Sequence, residues 1–268
     1  MPKYLAICLS LILLCVSGCQ TSLTASPSPG SIYAQRVRHS PDGIGKFYQG
    51  REIAQVMGHQ GAGWLERGSR SLEEQPDAAI AALHLQPSDI LADIGAGTGY
   101  FSFRISPLLP AGKVFAVDLQ PEMIEILTFL RQEYQANNVE PTLGSETDPH
   151  LAADSIDLAL MVDAYHEFAY PYEMMQAIVQ ALKPGGRVAL LEYRGENPLI
   201  PIKALHKMTQ RQVRREMEQV GLSWQETLSL LPQQHLMIFQ KPASPANSEP
   251  AALPQPPSPA QPDLPKLL

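Results

Sequence analysis

The stretch Asp89-Ile-Leu-Ala-Asp93-Ile-Gly95-Ala-Gly97-Thr-Gly99-Tyr100-Phe101 decides the reading of this chain. Asp89 to Asp93 is an apolar run of the length of a buried strand, and the glycines after it turn the backbone with no Cβ in the way. Thr98 to Leu108 then reads as a helix, limited at its end by Pro107. A glycine-rich turn between strand and helix leaves unpaired amide hydrogens where a ligand can sit. The next apolar run, Lys113-Val-Phe-Ala-Val-Asp118, ends in an acid 25 residues after Asp93. A carboxylate there can accept both hydroxyl protons of a ribose. Alone, the loop is a structural turn and the acid a helix cap; in this order they outline a nucleoside site.

Working outward, the alternation continues. Asp77 to Leu85 is a short helix opened by Pro76. Glu122 to Gln135 is an amphipathic helix with Met123, Leu127 and Leu130 on one face. Val139 to Leu143 and Ser155 to Val162 read as strands, and Tyr172 to Leu182 as a helix. Lys183-Pro-Gly-Gly186 breaks that helix and turns into the strand Arg187 to Glu192. Thr209-Gln-Arg-Gln212 is a capping box that opens a helix running through Val220. Ser223 to Leu230 and His235 to Gln240 form a candidate antiparallel pair. Apolar strands alternating with helices imply a doubly wound α/β domain with a seven-stranded, mostly parallel sheet and an antiparallel last strand.

The motifs exclude several chemistries. Tyr100 stands where the dinucleotide fingerprint needs glycine, and there is no G-x-x-x-x-G-K-[ST] phosphate loop. The acid at the loop's entrance, Asp93, suits a cationic ligand better than a pyrophosphate. His166-Glu-Phe-Ala-Tyr170 is not H-E-x-x-H, which excludes a zinc protease. The three cysteines, Cys8, Cys15 and Cys19, all precede residue 20, so the folded part has no cysteine nucleophile or cysteine metal site, and the chain is expected to hold no metal. With 20 Lys+Arg against 27 Asp+Glu, a net charge of −7, no nucleic-acid partner is expected.

Asp93-Ile-Gly-Ala-Gly-Thr-Gly-Tyr-Phe101 resembles the first motif of class I S-adenosylmethionine-dependent methyltransferases, and the resemblance covers roughly Ile80 to Lys241. It implies a Rossmann-like methyltransferase fold with S-adenosylmethionine as cofactor. It further implies that Asp93 and the backbone of Gly95, Gly97 and Gly99 hold the methionine part, that Asp118 meets the ribose, and that Leu119 packs near the adenine. Gly144-Ser-Glu146 lies where many members have Gly-Asp-Ala; Ser145 departs from that pattern, and Glu146 is the candidate substitute. After the fourth strand come Asp163, Tyr165 and His166, where strand ends gather ligands. His166 is the candidate base, with loop capping as its other role; Tyr165 and Asp163 position ligands. Residues 43–75, with Tyr48, Arg51, Glu52, Met57, His59, Trp64 and Arg67, form either a cap over a small-molecule acceptor or helices packed on the sheet edge. A methyltransferase is expected; the alternative is an anchored module that keeps the fold without transferring.

Both ends lie outside this domain. Lys3 precedes an apolar stretch from Leu5 to Val16, too short to remain as a spanning helix, and Val16-Ser17-Gly18-Cys19 resembles the bacterial lipobox. Residues 1–18 are then a signal peptide, Cys19 the lipidated residue, and the protein an exported, membrane-anchored lipoprotein of the cell envelope. Residues 19–42 read as a tether, 76–241 as the domain, and 242–268 as a disordered tail, where nine of the 25 prolines fall.

Overall fold

The computed structural model describes residues 32–243. The signal peptide, Cys19, the tether up to Ser31 and the tail from residue 244 lie outside the described residues.

The first elements are β1 (Tyr33–Gln35), β2 (Gly43–Tyr48) and β3 (Arg51–Ala54), which pair in that order as an antiparallel sheet. Tyr48 opposes Arg51 across a two-residue loop in which Gln49 and Gly50 both have positive φ, 48° and 89°. That backbone matches the right-handed twist of paired strands, and glycine adopts it at no steric cost. Two expectations are corrected here. The tether read over 19–42 contains a strand from Tyr33, and the segment from 43 begins as a hairpin rather than a helix. Short turns follow: α1 (Ala62–Leu65), α2 (Arg70–Glu73) and α3 (Pro76–Ala81), the last opened by proline at its first position as expected.

The main domain runs β4 (Ile90–Ile94), α4 (Ser102–Ile105), β5 (Lys113–Asp118), α5 (Pro121–Glu133), β6 (Val139–Leu143), β7 (Ile156–Val162), α6 (Pro171–Ala181), β8 (Leu182–Tyr193), α7 (Gln210–Gln219), β9 (Ser223–Leu228) and β10 (Gln234–Gln240). Seven strands form one sheet in the order β6-β5-β4-β7-β8-β10-β9. The pairs from β6 to β8 are parallel, and β10 lies antiparallel between β8 and β9. This is the expected fold class.

Alternation along the strands divides the core into two layers. Leu158 and Leu160 of β7 face one layer with Ile80, Ile105 and Leu127, while Ala159 and Met161 face the other with Met175, Ile178, Val213 and Met217. The helix read over Thr98 to Leu108 is shorter: α4 starts at Ser102 because the glycine turn occupies the chain to that point, and it tightens into a 3-10 turn over Ser106–Leu108, where Pro107 lies. Lys183-Pro-Gly-Gly186 is a bulge inside β8 rather than a turn before it, because the pairing with β7 shifts register between Ile156 and Leu158. At α7, Thr209 accepts from the Gln212 amide at 3.2 Å, so half of the capping box forms. The Gln212 side chain instead reaches Glu216 Oε1, at 2.7 Å.

Glu216, fully buried, fastens the N-terminal sheet to this domain. Arg51 donates from Nε to Oε1 at 2.9 Å and from Nη2 to Oε2 at 3.0 Å, and the Tyr165 hydroxyl donates to Oε2 at 2.7 Å. Removing one partner of a buried pair strands the other charge. Glu216→Ala should therefore lower the unfolding free energy by about 3–5 kcal/mol in urea titrations, far more than a surface change on the same helix.

Candidate active site

The site lies beyond the carboxyl ends of β4, β5, β7 and β8, where an open α/β sheet collects ligands. Two cavities meet there. The first, of about 260 Å³, is lined by Gly95, Gly97, Asp118, Leu119, Gly144 and Glu146. The second, of about 420 Å³, is lined by Trp64, Arg67, Tyr193, His166, Lys203 and His206. Val56, Met57, Leu65, Val162, Asp163 and Glu167 belong to both walls.

The glycine turn is held from β5. The Gly97 amide donates to Asp118 Oδ2 and the Gln120 amide to Asp118 Oδ1, each at 2.9 Å. Burial raises the Asp118 carboxyl above its ordinary value, against the pull of those amides. Each oxygen keeps a further lone pair, so Asp118 can still accept from a ligand. Gly95 and Gly97 have positive φ, and a Cβ on either would meet Ala164 Cβ at 2.8 Å or Leu65 Cδ1 at 2.5 Å. Only glycine lets the loop pass this close to both neighbours.

Two loop residues act from behind. A Cβ on Gly99 would meet Phe103 at 2.5 Å and Leu127 at 2.7 Å, so Gly99 packs against the helices instead of facing the cavity. The carboxylate of Asp93 accepts from Ser102 Oγ at 2.7 Å and lies outside both cavity walls. The two are therefore corrected from ligand contacts to positioning residues. Leu119 and Glu146 line the first cavity, and Ser145 Oγ ties the neighbouring turn by accepting from the Asp148 amide at 3.0 Å.

Asp163 stands where the cavities meet, with a positive φ of 48°, an uncommon conformation for a residue with a side chain. Its Oδ2 accepts from Gln234 Nε2 at 2.7 Å, while Oδ1 is sealed from solvent with no partner among the described residues. Burial, with Glu74 and Glu192 nearby, pushes this carboxyl well up. A cation beside it would hold it ionised.

Tyr165 is corrected. Its ring is fully buried and its hydroxyl is committed to Glu216, away from both cavities. His166 does reach the second cavity. Its Nδ1 lies 2.7 Å from Glu192 Oε2, and its Nε2 lies 3.1 Å from His206 Nδ1 and 3.7 Å from Glu167 Oε1. Burial opposes its charge, but Glu192 and Glu167 outweigh that and push it up to about 10. Such an imidazole carries a proton at neutral pH and is a donor, which works against the role of base. Glu167 is held down at about 2: burial works against its charge, but its contacts with His166 and His206 outweigh that.

Three of the seven residues named for the cap reach the site, and His59 reaches no further than Gln120. Met57, Trp64 and Arg67 line it, whereas Arg51 and Glu52 serve the N-terminal sheet and Tyr48 is core. The cap is held on by polar bonds: Met57 N to Glu167 Oε2 at 2.9 Å, His59 N to Gln120 Oε1 at 2.7 Å, and Thr98 Oγ1 to Glu66 Oε1 at 2.5 Å. Sequence reasoning missed Glu192 and His206. Glu192 carried a signal, as an acid near the carboxyl end of a buried strand. His206 carried none, since it joins the site only through the loop after β8.

Residues 92–188 match the family model described as "Methyltransferase domain". An uncharacterized methyltransferase-like protein of Schizosaccharomyces pombe is 31% identical over 142 residues, 53% of this chain and 53% of that one. The chain spans about half the length of the curated relatives it matches. Among solved structures, a SAM dependent methyltransferase from Aquifex aeolicus superposes with a TM-score of 0.66 at 19% identity, over 69% of this chain and 99% of that one. The [4+2]-cyclase SpnF superposes with a TM-score of 0.56 at 14% identity, over 63% and 80%. The sheet is the Rossmann-like methyltransferase fold, and the cyclase illustrates that this fold does not fix the reaction.

Asp93 supplies a test of the loop's electrostatics. Burial, only partly offset by the Ser102 hydrogen bond and Arg70, raises its carboxyl from 3.8 to about 6. The fold thus favours the protonated form, and that contribution is complete below about pH 4 and lost as pH rises through about 6. Asp93→Asn removes it. In urea unfolding, the variant's stability relative to the native chain should rise by up to about 3 kcal/mol between pH 4 and 6 and level off above.

Proposed function

We propose that the chain is an S-adenosylmethionine-dependent methyltransferase acting on a small molecule bound in the second cavity. The observation that carries this is the meeting of two cavities at Asp163 and Glu167, one bearing the glycine turn and Asp118, the other roofed by the cap. The matched family model and the fold support it.

The residues present fit the cofactor. Gly95 and Gly97 present bare backbone to the first cavity. Asp118 has lone pairs free for ribose hydroxyls, Leu119 offers an apolar face to the adenine, and Glu146 can accept from an amine. The unpartnered Oδ1 of Asp163 suits a cationic group. When bound, S-adenosylmethionine supplies an electrophilic methyl group on a sulfonium. The chain's own contribution is to hold the acceptor close and aligned and to exclude water, through Val56, Met57 and Leu65 over the shared wall.

Calorimetric titration of S-adenosylhomocysteine and S-adenosylmethionine into the protein tests this. Micromolar binding, worth about 8 kcal/mol, is expected, with a loss of more than tenfold in Asp118→Ala. A folded protein that binds neither overturns the reading and leaves a non-catalytic module of the same fold.

The same proposal extends to the chain's beginning. Cys19 carries lipid and holds the protein at a membrane surface in the cell envelope, a reading supported by Val16-Ser17-Gly18-Cys19. Labelling cells with a palmitate analogue should mark the native chain and spare Cys19→Ser. An unlabelled native chain removes the anchor without touching the enzyme reading.

A further inference from the structure

In the wall of the second cavity, three donor atoms face one another, two from the adjacent residues His166 and Glu167 and one from His206 in the loop after β8. His166 Nε2 and His206 Nδ1 are 3.1 Å apart, His206 Nδ1 and Glu167 Oε1 are 3.2 Å apart, and His166 Nε2 and Glu167 Oε1 are 3.7 Å apart. We propose that His166, Glu167 and His206 form a two-histidine, one-carboxylate site for a borderline divalent transition-metal ion, set in the wall of the acceptor cavity.

The spacing carries the first part of the argument. Ligand atoms about 2.1 Å from a metal lie about 3.0 Å apart at a right angle and about 3.4 Å apart at a tetrahedral angle. The three observed separations, 3.1, 3.2 and 3.7 Å, run from near the right-angle value to slightly beyond the tetrahedral one, so an ion fits between the atoms with little movement of their side chains.

The outer atoms carry the second part. His166 Nδ1 lies 2.7 Å from Glu192 Oε2, and the His166 amide donates to Glu192 Oε1 at 3.3 Å; Glu192 is fully buried. A carboxylate behind the far nitrogen of a histidine fixes the ring and directs the other nitrogen at a metal. Glu167 is arranged in the same way: its Oε2 accepts from the Met57 amide at 2.9 Å, which leaves Oε1 as the inward ligand. Two of the three ligands are thus oriented from behind, and a bound ion takes the place of the Nε2 proton that His166 carries in its absence.

Position carries the third part. All three residues line the second cavity, so the coordination positions that the protein leaves open face an acceptor or water. Two imidazoles and one carboxylate suit Zn²⁺, Fe²⁺ or Co²⁺, whereas Mg²⁺ and Ca²⁺ call for oxygen ligands. The proposal replaces the sequence expectation of a metal-free chain, which rested on the cysteines and on a broken H-E-x-x-H. The third ligand comes from a loop 40 residues beyond His166, where no local motif could register it. The site stands independently of the cofactor reading, because metal binding is read without S-adenosylmethionine.

The test is titration of Zn²⁺ and Co²⁺ into the full-length protein, with Cys8, Cys15 and Cys19 replaced by Ser to remove competing thiols. Calorimetry should give one Zn²⁺ per chain at micromolar affinity or tighter, and Co²⁺ should give a visible absorption band without a thiolate component. His206→Ala and Glu167→Gln should each weaken binding at least tenfold. Glu192→Gln, which touches no metal, should weaken it about 10–100-fold. His206 sits partly exposed on a surface turn, so circular dichroism should show His206→Ala folded. No bound metal in the folded protein overturns the proposal, as does equal affinity in His206→Ala.

Discussion

A single buried carboxylate, that of Glu216, sets the relation between the two parts of this molecule. It takes Arg51 from the N-terminal sheet, Tyr165 from the loop after β7 and Gln212 from its own helix. A buried ion pair gains little net stability, since desolvation offsets most of the attraction. What it supplies here is a fixed position: Arg51 can reach its partner only when β3 lies against α7. Arg51 also donates to the His166 carbonyl at 3.1 Å, so the same guanidinium reaches the backbone of the site. The cap that follows β3 inherits this placement.

Around the site, carboxylates do most of the positioning and most are already committed. Asp118 holds the glycine turn, Glu192 aims His166, Glu167 receives the cap at Met57, and Glu74 gathers Arg67, Arg70 and Tyr193. Asp163 differs, since one of its oxygens is left over in a strained backbone at the junction of the cavities. Buried polar atoms are rarely left unmatched, and among those that are here, the Asp163 oxygen is the one on a residue lining both cavities.

How far the chain could be read from its residues depended on the range of the interactions. Buried strands such as Ile156–Val162 declare themselves as apolar runs, and the glycine turn with Asp118 declares itself by spacing. Gly99 and Asp93 carried the motif but not the contact, because which way a loop residue faces is set by neighbours such as Phe103 and Ser102 that the motif does not mention. Tyr165 was misplaced for a similar reason: adjacent residues at a strand end diverge, and its neighbour took the cavity. The N-terminal hairpin was legible in Gln49-Gly50 between alternating residues, yet its partner strand at Tyr33 sits in a stretch whose composition suggests a linker. The pairing of His166 with His206 was not legible, since only the tertiary path of the loop after β8 brings them together.

The insertion of β10 between β8 and β9 bears on how the domain is made. β10 is the last of the described strands in chain order, yet it occupies an interior place, and β8 keeps an open edge until residues near Gln240 are available to fill it. A ribosome therefore releases nearly the whole domain before the sheet can close, and the seven-stranded core is completed only at that late stage.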